Sequence, residues 1–291
     1  MTARSNDRRA DETFAVHALP RALRIGTGLL LGASGLGLPI LLLRVVLASD
    51  PPMTPPTVLR DFLALSVLPA LAALLVQRAL RGEATLVGPD LVVRVGGQRF
   101  ELALASIAAV EPWRLPLPEA GFRLCPVSGA RFPVEIGAGD AAPLLAALAA
   151  RGVSGADATR LHPTIVWARL RELRGRLGMR RAILKYPLFG AMVAGVLFNA
   201  QQNVAWGGLF GQYEVEGAWP WARTFLVYWG TATLYLVLYA SVWRWPAEIV
   251  AWLAAYRGEA VAARVRVAAE WLCRVAYFVG IGLILALRFA E

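Results

Sequence analysis

Five blocks of apolar residues divide the chain, at residues 25–43, 59–77, 186–200, 225–242 and 272–287. A bilayer-spanning helix needs about 20 predominantly apolar residues, so the first, second and fourth blocks predict spans by length alone. The third and fifth are shorter and need interfacial flanks, which Tyr186, Trp206, Trp271 and Arg288 supply. Pro69 interrupts the second block, a break that neighbouring helices can accommodate. The first block is too long for a secretory signal core. Arg44 follows it where a small-residue cleavage site would stand, so it reads as a retained helix.

Between the second and third blocks the period changes from helical to alternating. Leu91, Val93 and Val95 share one face, Gly96 and Gly97 make a hairpin turn, and Phe100, Leu102 and Leu104 then alternate with Arg99 and Glu101. Phe122 and Leu124 alternate with Arg123 and Cys125. After a turn at Ser128 and Gly129, Phe132, Val134 and Ile136 alternate with Arg131 and Glu135. Asp140 is placed as an N-cap before a helix over 141–150, which Gly152 stops. The pattern predicts short antiparallel strands closed by one helix.

Residues 83–151, about a quarter of the chain, resemble the small β-barrel-plus-helix module of bacterial pleckstrin-homology-like membrane proteins. The matching features are the hairpin at 90–104, the segment Ile107, Ala108, Ala109, Val110, the strand pair at 121–136 and the closing helix. The proline-rich stretch 112–118 departs from a compact barrel and reads as a long loop. The resemblance implies an adaptor or assembly role at a membrane, and brings no catalytic residue with it.

Composition agrees with the blocks. Of 291 residues, 57% are hydrophobic and 17% charged, and the mean hydropathy is +0.54; soluble domains carry about a quarter charged residues. The net charge of +10 is almost all arginine, Lys185 being the only lysine. Residues 1–24, 78–185 and 244–266 hold most of the arginine, whereas 48–58 and 203–222 hold no Lys or Arg. The positive-inside rule then predicts a multi-pass protein with its N-terminus in the cytoplasm and its C-terminus outside, and the resemblance implies a bacterial inner membrane.

Three groups are candidates for binding. Residues 159–185 carry eight positive side chains against Glu172 alone. On a helix, Val166, Leu170, Leu173 and Leu177 form an apolar stripe, with Arg169, Arg176 and Arg180 on one flank and Arg174 and Arg181 on the other; Ala168 and Glu172 fall on the far side. Such a strip suits a helix lying on anionic headgroups. The commoner explanation is a helix packed on the adjacent domain, its arginines fixing topology. Asn199, Gln201, Gln202 and Asn203 gather four amides at the outer end of the third block: an intramembrane polar or partner site, or caps and interhelical bonds. Trp206, Phe210, Trp219 and Trp221, in a loop free of Lys and Arg, form an aromatic belt or a partner patch.

No nucleophile with its base, phosphate loop or zinc spacing occurs, and Cys125, Cys273, His17 and His162 are scattered, so no enzyme, cofactor or metal centre is expected. Nucleic acid is not an expected partner, because the basic strip abuts the bilayer and no nucleic-acid module is recognised.

The expected fold is thus a polytopic α-helical membrane protein of about five spans with an inserted small β-barrel or sandwich. Its parts are a cytoplasmic N-terminal segment (1–24), two spans (25–78), the β domain (79–158), a basic amphipathic helix (159–185) and three spans (186–291). The expected function is a non-enzymatic assembly, scaffold or regulatory component that contacts lipid headgroups and other membrane proteins. The alternative is a transporter or channel-like subunit for a small molecule or lipid.

Overall fold

The computed structural model describes residues 12–47, 55–173 and 183–290. They fall into two compact units. The first comprises Met1–Ser34, Val67–Arg174 and Glu248–Ala269; the second comprises Gly35–Ser66, Gly175–Ala247 and Glu270–Glu291.

The first unit is built on seven antiparallel strands: β1 (Glu12–Leu19), β2 (Arg81–Val87), β3 (Asp90–Val95), β4 (Gln98–Ala103), β5 (Ile107–Pro112), β6 (Ala120–Pro126) and β7 (Glu135–Ala138), in the order β4-β3-β2-β1-β7-β6-β5. Gly96 and Gly97 turn β3 into β4 at φ +54° and +82°, the left-handed pair that a two-residue hairpin of the right twist requires. Alternate residues Val16, Ala18, Ala84, Leu86, Leu91, Val93, Phe122 and Ile136 form the buried face. Three helices cover it. In α4 (Ala142–Ala150), Leu144, Leu145 and Leu148 point inward, and Asp140 Oδ1 accepts the Ala142 N–H at 2.9 Å. In α5 (Ala156–Arg160), Thr159 Oγ1 donates to the Val110 carbonyl at 2.8 Å. In α6 (Pro163–Leu173), Ile165, Val166, Trp167, Ala168 and Leu170 are buried.

The N-terminal segment departs from its expected character. It supplies the middle strand: β1 pairs with β2 over Glu12–His17 and with β7 over His17–Leu19. Phe14, Val16 and Ala18 do alternate, but the arginines before them obscure the short run. The strand expected from Phe132 begins only at Glu135, although Val134 is still buried in the core.

Single residues join the sheet to helices. Pro20 alone separates β1 from α1 (Arg21–Leu47), and the Arg24 N–H bonds the Pro20 carbonyl at 2.9 Å to start the helix. Leu80 alone separates α3 (Leu68–Ala79) from β2, and the Ala18 N–H donates to its carbonyl at 3.2 Å. The first unit also takes in residues 248–269, which place Ala251, Ala255 and Ala262 in the same core.

The second unit is helical. It contains the later part of α1, α2 (Pro55–Phe62) with the π-helical turn Leu63–Val67, a second such turn at Leu184–Leu188, α7 (Phe189–Trp206), α8 (Gly211–Glu216), most of α9 (Ala218–Ala255) and the later part of α10 (Glu259–Ala290). Leu41, Val58 and Leu238 form one buried cluster; Leu236, Ala240, Tyr277 and Ile281 form another. Close helix contact depends on small residues: a Cβ at Gly37 would lie 2.7 Å from the Leu65 carbonyl oxygen, and one at Gly190 2.5 Å from Thr233 Oγ1. By contrast, a Cβ at Gly32 or Gly195 would meet nothing within 4 Å.

Among the described residues three helices are long and apolar enough to cross a membrane: Arg21–Val45, Pro56–Ala79 and Ala218–Ala255. They contain the first, second and fourth blocks. The third and fifth are helical too, within α7 and α10, but are not among these three.

Candidate functional site

The densest arrangement of polar chemistry lies in the first unit, on the face of the sheet opposite its core. His17, Gly137 and Gly121 stand in register across β1, β7 and β6. The two glycines leave a floor without side chains, and Trp113 lies on it, 3% exposed. A Cβ at Gly121 would sit 2.8 Å from the indole; one at Gly137 would sit 3.0 Å from the indole and 2.5 Å from Glu119 Oε1. The Trp113 backbone N–H donates to the Gly121 carbonyl at 2.9 Å, which closes the base of the 113–119 loop. Its far end is held by Glu119, whose Oε1 lies 2.7 Å from His17 Nδ1.

Arg24, in the first turns of α1, completes the group. Its guanidinium stacks 4.8 Å from the Trp113 ring centroid, and Nε lies 2.9 Å from Glu135 Oε2. That approach pairs opposite charges without aligning the N–H on the oxygen, so it is an ionic contact rather than a directed hydrogen bond. The cluster offers an imidazole–carboxylate pair and an arginine–carboxylate pair around one indole, with no nucleophilic side chain among its members. Its chemistry is that of a clasp joining helix, loop and sheet. Among the described residues no group of three or more His, Cys, Asp or Glu is placed to hold a metal.

The basic strip is partly outside this picture. Arg174, Arg176, Arg180, Arg181 and Leu177 lie outside the described residues. Arg169 lies 3.7 Å from Glu259, with both side chains substantially exposed. The helix is not continuous from Thr159: it breaks at Leu161 and His162, and Pro163 starts α6. Of the stripe, Val166 and Leu170 are buried in the domain core and Leu173 is 69% exposed. Ala168, placed on the far side by the stripe geometry, is buried as well. Packing on the domain therefore claims the first half of the stripe.

The four amides do not converge. Gln202 is fully buried; its Nε2 donates to Gln212 Oε1 at 2.8 Å and to Gln201 Oε1 at 3.3 Å. Gln212 Nε2 donates onward to Glu216 at 2.7 Å and Thr224 at 3.3 Å. Asn199 and Asn203 are exposed and bond each other one turn apart at 3.0 Å. In the aromatic loop, Phe210 stacks on Trp221 at 5.8 Å and Trp221 Nε1 donates to the Leu209 carbonyl. Phe210 and Trp219 are 54% and 71% exposed, while Trp206 is half-buried.

Sequence reasoning missed His17, Arg24, Trp113, Glu119 and Glu135. Their separations exceed any local motif, and the only available signal was the pair Gly121 and Gly137 within the strands β6 and β7. No protein-family model matches the chain, and neither a curated protein nor a solved structure matches it.

Proposed function

We propose that the protein is a non-enzymatic integral membrane component, of the assembly, scaffold or regulatory kind, whose β module is one unit with the first turns of α1, with α3 and with residues 248–269. One observation carries this reading. The strand before α1, the long stretch 67–174 and the 248–269 stretch fold into a single unit. A module that works by diffusing on a tether sits on a flexible linker. Here the joints to α1 and α3 are the single residues Pro20 and Leu80, so a tilt of either helix is carried straight into paired strands.

Residues 1–24, 78–185 and 244–266 hold most of the arginine, which supports five spans with the β module on the cytoplasmic face and the C-terminus outside. The seven antiparallel strands followed by α4 support the pleckstrin-homology-like reading. Arg169 and the arginines after it are positioned in sequence to meet anionic headgroups, and the exposed Phe210 and Trp219 to meet another membrane protein.

The test is photocrosslinking in intact cells from Arg99, on edge strand β4, and from Trp219, combined with solute flux in reconstituted vesicles. Discrete protein adducts from either position, without flux, support the reading. Saturable flux of a small molecule with no adduct from either position would favour the transporter class.

A further inference from the structure

The loop between β5 and β6 is fastened at both ends and displays an apolar tip. Trp113 is pinned on the glycine floor and Glu119 on His17. Between them Leu115 and Leu117 are 57% and 39% exposed. Two leucines held out together by a fixed loop make an apolar tip, and where such a tip continues into a larger exposed apolar patch it marks a contact surface.

Their position says what does. The backbone and Cβ of Leu117 lie 3.4–3.5 Å from where a Cβ of Gly28 would be, so the loop touches α1 there. Arg24 is the last charged residue before Arg44, and Gly28 lies four residues further, about 6 Å along the helix axis. Leu117 therefore meets α1 inside its uncharged run, at the level of Ile25 and Leu29, which are 46% and 69% exposed. The loop backbone suits that level. Unpaired N–H groups exclude ordinary loops from hydrocarbon, but Pro116 and Pro118 have none. Arg114 adjoins the tip and Arg21 stands about two turns before Gly28 on α1; both are exposed, with charges able to reach phosphates while their stems stay apolar.

We propose that residues 114–117 form a second membrane anchor. Leu115 and Leu117 enter the acyl boundary of the bilayer beside α1, and Arg21 and Arg114 meet the phospholipid headgroups. The occupant of this surface is phospholipid, because the loop is continuous with the face of a helix apolar enough to span. The proposal rests on the reading of α1 as a spanning helix. It adds a lipid contact by which the β module itself senses the interface, through the clasp that joins the loop to β1, β6 and β7.

The experiment uses the full chain with Cys125→Ser and Cys273→Ser, reconstituted in phosphatidylcholine vesicles. Single cysteines at Leu115→Cys, Leu29→Cys and Arg99→Cys carry an environment-sensitive fluorophore, and nitroxide lipids serve as quenchers. Insertion of roughly 5–10 Å brings the Leu115 label within reach of shallow nitroxides. The expected result is blue-shifted emission and loss of intensity with shallow-nitroxide lipid at positions 29 and 115, and neither at 99. Quenching at 29 with a position-115 label that behaves like 99 overturns the anchor and leaves the span intact. A blue-shifted but unquenched label at 115 means that protein covers the tip, and also overturns it. If position 29 itself is unquenched, the spanning reading falls and the anchor with it.

Discussion

Replacing Gly121 with alanine tests the clasp where intuition and structure disagree. Gly121 is not in the left-handed region, so alanine meets no backbone penalty. By propensity alone the change should stabilise β6, because a strand glycine costs roughly 0.5–1 kcal/mol relative to alanine. The new methyl, however, would sit 2.8 Å from Trp113 and would also crowd the Ile136 carbonyl oxygen. Moving the indole by about an ångström restores contact distance, and overpacking of this kind costs about 1–3 kcal/mol. Ejecting the ring altogether would forfeit about 4–6 kcal/mol, taking 150–250 Å² at 25 cal/mol per Å², so displacement is preferred to ejection. The net expectation is a loss of about 0.5–2 kcal/mol. The assay is pulse proteolysis of the full chain across a urea series in mild detergent, with Trp113→Ala and the double variant completing a cycle. With the indole gone, the Gly121→Ala effect should shrink, leaving only the Ile136 contact. A stability gain in the wild-type background, or an equal effect in both backgrounds, would refute the packing of Trp113 on Gly121.

Reporter fusions after Asp50, Ser128, Gly217 and Gly258 should read outside, inside, outside and inside; an external Ser128 would overturn the proposed topology. Replacing Gln212 with Leu removes the nearer of the two acceptors of the fully buried Gln202 amide and should lower stability by about 1–3 kcal/mol. A detergent melt should show the loss, and the Gln202→Leu/Gln212→Leu double variant should recover part of it. Burial holds the His162 imidazole below its usual value of 6.5, so the unfolded chain binds the proton first as pH falls. The stability from His162 is thus present above that pH and is lost below it, as pH falls toward the lowered folded value. His162→Asn should flatten this acid-side difference in proteolysis midpoints, and an unchanged pH dependence would remove His162 as its source.

How much of this was legible depended on the range of the forces involved. The five helical blocks and the β3–β4 hairpin are local patterns, set by transfer of contiguous apolar residues and by two glycines, and each appears where its period placed it. β1 escaped because its hydrophobic alternation is only three residues deep and its partners, Arg81 and Gly137, are remote in sequence. The clasp escaped for the same reason: His17 and Glu119 are 102 residues apart, and nothing local marks either. The basic stripe was legible in part. Helical periodicity identifies an apolar face but does not say whether lipid or protein covers it, and Ile165, Trp167 and Ala168 broadened that face enough for the domain core to take it.

β1 also bears on topology by a route independent of charge. Because β1 and β2 pair from Glu12↔Leu86 to His17↔Arg81, the chain that leaves the sheet at Leu19 returns to it at Arg81 on the same side of any bilayer. The helices between must then cross an even number of times. Two of the three helices apolar enough to span lie in that interval, Arg21–Val45 and Pro56–Ala79, so the pairing supports two crossings or none, and hydropathy argues against none. The same logic orders assembly. On the proposed topology, the middle strand of the sheet cannot find β7 until the chain has passed through both helices and the whole of β2–β6, so the β module completes itself only after both spans have formed. A mutation that blocks insertion of α1 should therefore leave β2–β7 without their central partner and open to protease, even though no residue of those strands has changed.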